Sequence, residues 1–321
     1  MSTINYVEHF ASLWNLPPHA DRQFPEARPL LAHYCSIATL EAIVRNEQMW
    51  LSNPLYMNDY EELRFGLVHS RDRFHNHDGI KAAIGQGERY EVLRKHFNGI
   101  YEQFESGLSF DIYIACFSEH DPLDNDGLLS MWRGYGANGS GAAIVFDTSV
   151  FAEVPDSPLR IARVTYGTTA DRIRWINEIL DRFASLLSPR LPTDELGACA
   201  AHLFERLLAF SVYTKHAGFK EENEWRVVYF KHQDVRNRLV GMLDYHVSGS
   251  VVEPKLKYKI GPLDGVAAEG VNLEKLTAKI ILGPTGASSL WKMAVQRMLD
   301  KLGHSTIGQR IVASSTPYRA R

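Results

Sequence analysis

Short apolar runs with the character of strands occur throughout this 321-residue chain, and long helical stretches separate them. Such interleaving builds a sheet from strands distant in sequence, with helices inserted between them. The runs are 30–35, 49–52, 112–117, 142–146, 160–166, 227–230, 279–282 and 309–313, with a hairpin expected over 236–260. Helices are expected over 4–15, 37–46, 128–135, 168–187, 193–216 and 288–302, and over most of 59–105 with a break near Asp78-Gly79. Ser36 suits the N-cap of the helix at 37–46. No repeat, low-complexity linker or clear boundary is visible. The sequence therefore predicts one α+β domain over 1–321. An N-terminal helix and arm occupy 1–29, and helical insertions occupy 59–105 and 168–216.

Several functions lack their residues. No GxxxxGK[ST], HExxH or GxSxG occurs. Gly136, Gly139 and Gly141 lead into a strand rather than a helix, so they do not fit a dinucleotide fingerprint. His75 and His77 are two apart on a helix and do not face each other. Cys35, Cys116 and Cys199 form no CxxC pair and read as core residues; no metal is expected. A net charge of −3 argues against broad non-specific nucleic-acid binding. No run approaches the roughly 20 apolar residues of a membrane span, and the N-terminus shows no secretory pattern. A cytoplasmic protein without membrane contact is expected.

The densest chemistry lies in Lys215–Arg226, which runs directly into Val227-Val228-Tyr229-Phe230. If the strand begins near Glu222, its period of two puts Glu222, Glu224 and Arg226 on one face. Trp225, Val227 and Tyr229 take the other. An ion-paired strand edge explains these charges as readily as a site does. Three further clusters stand out: His33-Tyr34-Cys35-Ser36, Asn58-Asp59-Tyr60-Glu61-Glu62, and Met131-Trp132-Arg133-Gly134-Tyr135 before the glycine loop. At spacing three on a helix, Trp132 and Tyr135 share a face, either as a slot for a ring or as core.

The ordered pieces HYCSIATLEAIVRNEQMWLSNPLYMNDYEE, IACFSE, MWRGYGANGSGAAIVFD, KHAGFKEENEWRVV, KIILGP and SSTPYR resemble the bacterial family DUF2971. Tyr60 departs from it, since the family usually has proline after the Asn-Asp pair. Members resemble accessory genes of stress or phage defence, a setting in which toxins occur. The strand–helix–strand opening, with its early His, is also similar to ADP-ribosyltransferases of the DarT type. That resemblance implies a split β-sheet with NAD as substrate across a cleft. It assigns His33 an early role, Trp132 or Tyr135 a middle one, and Glu224 or Glu222 the late carboxylate.

Nicotinamide leaves a cationic precursor as a neutral molecule, so one carboxylate that stabilises an oxocarbenium-like state suffices. On this reading Glu224 takes that role and Glu222 activates the acceptor, which is protein, nucleic acid or water. His33, assisted by Tyr34 or Ser36, binds the nicotinamide ribose, and Trp132 or Tyr135 stacks on the ring. Arg226, Arg133 and Lys215 are candidate phosphate contacts, and Asn58 and Asp59 join the cofactor-binding set. One alternative is a nuclease in which Asp59, Glu62, Glu222 and Glu224 hold Mg²⁺. Arg226 stands where such a site usually has lysine, and arginine cannot act as a base. The other alternative is a non-catalytic nucleotide sensor.

Overall fold

The apolar runs become twelve strands: β1 Leu30–Cys35, β2 Gln48–Ser52, β3 Ile112–His120, β4 Ala142–Asp147, β5 Leu159–Arg163, β6 Thr165–Gly167, β7 Thr214–His216, β8 Glu224–Phe230, β9 Leu243–Ser248, β10 Val251–Lys259, β11 Thr277–Leu282 and β12 Ile311–Ala313. Eleven helices accompany them: α1 Tyr6–Phe10, α2 Ile37–Asn46, α3 Tyr60–His75, α4 Asp78–Ile84, α5 Glu88–Ser106, α6 Leu129–Gly134, α7 Thr169–Leu186, α8 Leu196–Tyr213, α9 Leu273–Leu276, α10 Ser289–Lys301 and α11 Ser305–Gly308. The structure, a computed structural model, describes residues 5–16, 24–57, 60–85, 87–152, 154–286 and 288–318. These counts refer to those residues. No helix among them is long and apolar enough to cross a membrane.

The chain is α+β, with ten strands in one mixed sheet. It divides into two compact units. The sheet unit takes Gln23–Asn53, Ile112–Ala162 and Lys220–Arg321; the helical unit takes Met1–Arg22, Pro54–Asp111 and Arg163–Phe219. The segments read as N-terminal helix and helical insertions thus assemble as a unit of their own.

In the sheet unit the main strand order is β12-β11-β4-β1-β3-β2-β10-β9, with β8 on β3 and β5 on β8. The β11–β12 pair is parallel, whereas β1 runs antiparallel to both β3 and β4. β3, β4 and β8 are buried on both faces, as central strands are, and β8 carries Glu224 and Arg226 into that buried setting. One face carries a large core that includes Leu31, Cys35, Phe117, Ile144 and Trp225, with Leu40, Ile43 and Val44 of α2. The other carries Ala32, Tyr34, Ala143, Val145 and Ile281, covered by Met131 and Trp132 of α6. Ser36 caps α2 by accepting from the Thr39 amide at 3.0 Å.

The helical unit packs α8 among α3, α5 and α7. Phe74 of α3 stacks on Phe97 of α5, with ring centroids 4.2 Å apart. α8 is apolar around most of its surface, yet it carries the fully buried Arg206. Its guanidinium donates to the Leu13 and Leu16 carbonyls, and burial pushes its pKa down to about 9. A short parallel ladder, β6 against β7, pairs Tyr166 with Lys215 and Gly167 with His216.

All three cysteines are free. Burial pushes the Cys35 thiol up to about 12 and the Cys199 thiol to about 11, as suits inert core residues.

Candidate functional site

Register decides which side chains of the sheet unit meet. β3 pairs with β8 through Ser118–Glu224, Phe117–Trp225 and Cys116–Arg226. It pairs with β1 through Ala32–Ser118 and Leu31–Glu119. Directly opposed residues share a face. Glu224, Ser118, Ala32 and, two positions on, Tyr34 and Arg226 therefore lie on one side. His33 lies on the other, with Phe117 and Trp225. Its ring sits 5.7 Å from that of Phe117, and Nδ1 donates to the Cys116 carbonyl at 3.3 Å. Burial lowers its pKa, against the opposing effect of that hydrogen bond. The expected partnership of His33 with Glu224 fails here: an odd number of strand steps separates their faces.

β8 starts at Glu224, so Glu222 is not a strand residue. It closes a 3-10 turn over Ala217–Glu222, and Asn223 adopts a left-handed φ of 45°. That conformation breaks the period that was to align three charges. Glu224 and Arg226 do share a face. Arg226 donates from Nε to Glu224 Oε1 at 2.8 Å and from a terminal nitrogen to Oε2 at 3.2 Å. The two residues are only 3% and 2% exposed. The carboxylate is thus held at two points by the guanidinium and has almost no surface open to solvent. Trp225 faces away, as expected, and donates to Glu119 Oε2 at 2.9 Å.

Trp132 is fully buried and packs edge-on against Tyr34 at 4.8 Å. Its indole donates to the Asp126 carbonyl at 2.7 Å, and the Tyr34 hydroxyl accepts from the Leu128 amide at 2.9 Å. Burial pushes the Tyr34 phenol up to about 12. A Cβ at Gly136 would lie 2.4 Å from the Trp132 ring, so the glycine loop closes directly on the indole. Trp132 and Tyr34 are thus a core pillar, with no room for a stacked ligand.

Tyr135, three residues along, is 43% exposed. Its hydroxyl donates to Glu222 Oε1 at 3.3 Å. The Glu222 carbonyl accepts from Ser118 Oγ at 2.7 Å, which fixes the backbone of this residue over β3. A solvent-facing phenol and a half-buried carboxylate therefore stand together beside the glycine loop. This pair can accept a hydrogen bond from a bound hydroxyl, take up a proton and offer an aromatic face.

The remaining predicted residues disperse. Ser36 is used as a helix cap. Arg133 is exposed, with its guanidinium 5.3 Å from the Tyr318 ring centroid. Lys215 belongs to the helical unit and is buried with Nζ 4.9 Å from the Phe219 ring centroid. Asn58 and Asp59 lie outside the described residues, as does the side chain of Glu62. Of the Mg²⁺ set of Asp59, Glu62, Glu222 and Glu224, only the side chains of Glu222 and Glu224 are described, and Glu224 is paired with Arg226. Among the described residues, no three His, Cys, Asp or Glu side chains gather as a metal site would require.

Sequence reasoning missed Asp126. Its carboxylate accepts from Ser315 through both amide and hydroxyl, and from Ser314 Oγ at 3.3 Å. Those bonds hold its pKa below the usual carboxylate range. The serines belong to the SSTPYR piece, whose pairing with a loop nearly two hundred residues earlier left no local signal.

Residues 131–227 match a family described as "Protein of unknown function (DUF2971)". The match runs from Met131, at the head of α6, to Val227 in β8, and so takes in the glycine loop, Tyr135, Glu222, Glu224 and Arg226. It supports the DUF2971 membership expected from the motifs. No curated protein and no solved structure matches, so the similarity to DarT-type enzymes gains no support.

Proposed function

We propose that this protein binds NAD and breaks its nicotinamide–ribose bond, with Glu222 rather than Glu224 as the carboxylate that faces the ribose. The observation that carries this reading is the 3.3 Å contact between the half-buried Glu222 carboxylate and the exposed Tyr135 hydroxyl. A ribose hydroxyl takes the place of the phenol as donor to Glu222. The C–N bond breaks with its electron pair moving onto the nicotinamide nitrogen, which leaves neutral. The carboxylate stabilises the positive charge left on the ribose. Water or another acceptor then bonds to the anomeric carbon and gives up its proton, for which Glu222 is the nearby base. Tyr135 offers its ring face to nicotinamide. Glu224 and Arg226 hold the start of β8 beneath.

The test is nicotinamide release from labelled NAD, with water, protein, nucleic acid and bacterial lysate each offered as acceptor. Wild-type release that drops about 100-fold to 1,000-fold in Glu222→Gln is the expected result. No release with any acceptor overturns the reading. Tight nucleotide binding without release points instead to a sensor. Mg²⁺-dependent cutting of nucleic acid points to a nuclease.

A further inference from the structure

The helical unit carries a wide, open cleft of about 490 Å³. Three elements build it. α3 contributes Arg64, Phe65 and His69, whose spacings of one, four and five put them on neighbouring rows of one helix surface. β7 ends in His216, and β6 ends beside it at Gly167. From β6 the chain enters α7, an 18-residue helix, so that Thr169 and Arg172 of its first turn also line the cavity. Two guanidiniums, two imidazoles and a helix N-terminus thus converge at the ends of two parallel strands. The guanidiniums make that position favourable to an anion, although the Thr168–Asp171 capping box already uses amides of the α7 N-terminus.

The aromatic residues complete the pattern. The Arg172 guanidinium is almost fully buried and lies 3.9 Å from the Phe65 ring centroid, which holds its planar fork in place. Phe219 lines the same cavity and is 46% exposed, with the buried Lys215 ammonium against its ring. No carboxylate lines the cavity among the described residues. The acid in the first turn of α7, Asp171, is taken up by the Thr168 cap and by Arg174 at 2.9 Å.

We infer that this cavity binds a nucleoside diphosphate, with the phosphates among Arg64, His69, Arg172 and His216 and the base on the open face of Phe219. Arginine forks match phosphate oxygens in pairs, which a lone ammonium does not. The inference stands on the helical unit's own residues and is independent of Glu222.

The test is calorimetric titration of the full chain with ADP, pyrophosphate and adenosine. Saturable 1:1 binding of ADP and pyrophosphate is expected, weakening as salt rises, with adenosine far weaker. Arg64→Ala and His216→Ala, both at exposed positions, should each weaken ADP binding roughly 10-fold to 100-fold. Phe219→Ala should weaken ADP about 10-fold and leave pyrophosphate unchanged. Thermal melts establish that each variant is folded. Absence of binding at millimolar ADP and pyrophosphate overturns the inference. So does unchanged affinity in folded Arg64→Ala and His216→Ala. Nicotinamide release has no part in this readout, so its result stays separate from that for Glu222.

Discussion

Glu224 and Arg226 grip each other at two points, from alternate positions of one strand, with almost no solvent reaching either. Two buried charges of this kind cost desolvation that their attraction only roughly offsets. Removing one partner of such a pair costs more than the pair itself contributes.

Glu224→Gln should therefore destabilise the protein strongly, because Arg226 loses its ion pair with a buried carboxylate. About 3–5 kcal/mol is expected from urea unfolding. Adding Arg226→Met should recover much of that loss, since the double variant removes the buried guanidinium along with the carboxylate. A Glu224→Gln protein that unfolds at the wild-type urea midpoint would contradict the geometry. Loss of any activity in Glu224→Gln alone would then say little about catalysis.

Gly136 is required for space rather than for its φ, which is −88°. A Cβ there would meet the Trp132 ring at 2.4 Å and its Cα at 3.1 Å. The indole is fully buried and fixed by its bond to Asp126, so it has nowhere to retreat. Gly136→Ala should cost about 1–3 kcal/mol in unfolding free energy. Gly134→Ala, with nothing within 4 Å of its added methyl, serves as the control.

The sequence made the strands legible because central strands are continuous apolar runs, and the Trp225 face because period two holds within β8. Ser36 was legible as a cap for the same local reason. The site was not, and each failure has a nonlocal cause. Asn223 takes a left-handed turn that detaches Glu222 from the strand, a choice made where Ser118 captures the Glu222 carbonyl. His33 and Glu224 fall on opposite faces through the register of β1 and β8 on their shared neighbour β3. Trp132 and Tyr135 share a helical spacing, yet the glycine loop buries one and leaves the other open. The division into two units was hidden because each is assembled from three separated segments, with no linker composition between them.

His33 gives a pH dependence whose sign follows from burial. Its folded pKa is lowered, as are those of His120 and His202, in each case chiefly by loss of water. The unfolded chain thus binds protons at these positions before the folded protein does. Stability is fully present above the unfolded value of about 6.5 and is lost as pH falls through the folded values. The unfolding free energy from urea titration should drop between about pH 7 and pH 5, by at most roughly 1.4 kcal/mol per pH unit for each group. His33→Asn should flatten that slope relative to wild type, even if its stability near pH 8 is lower. An unchanged slope would mean that His33 takes up a proton as readily in the folded protein as in the unfolded chain.

Tyr135 and Glu222 divide the proposed chemistry between ring and carboxylate, and two substitutions separate them. Tyr135→Phe keeps the aromatic face but removes the donor to Glu222. With the phenol gone, the carboxylate has one fewer partner to release when a ribose hydroxyl arrives. Nicotinamide release should therefore fall by no more than a few-fold, because the transition-state contact belongs to Glu222. Tyr135→Ala removes the stacking surface as well and should raise KM more than it lowers kcat, since a ring contact serves ground and transition states alike. Glu222→Gln should show the reverse, a loss in kcat of about 100-fold or more with KM little changed. If Tyr135→Phe abolished release as fully as Glu222→Gln, the hydroxyl itself would be the reacting group, and Glu222 would only position it.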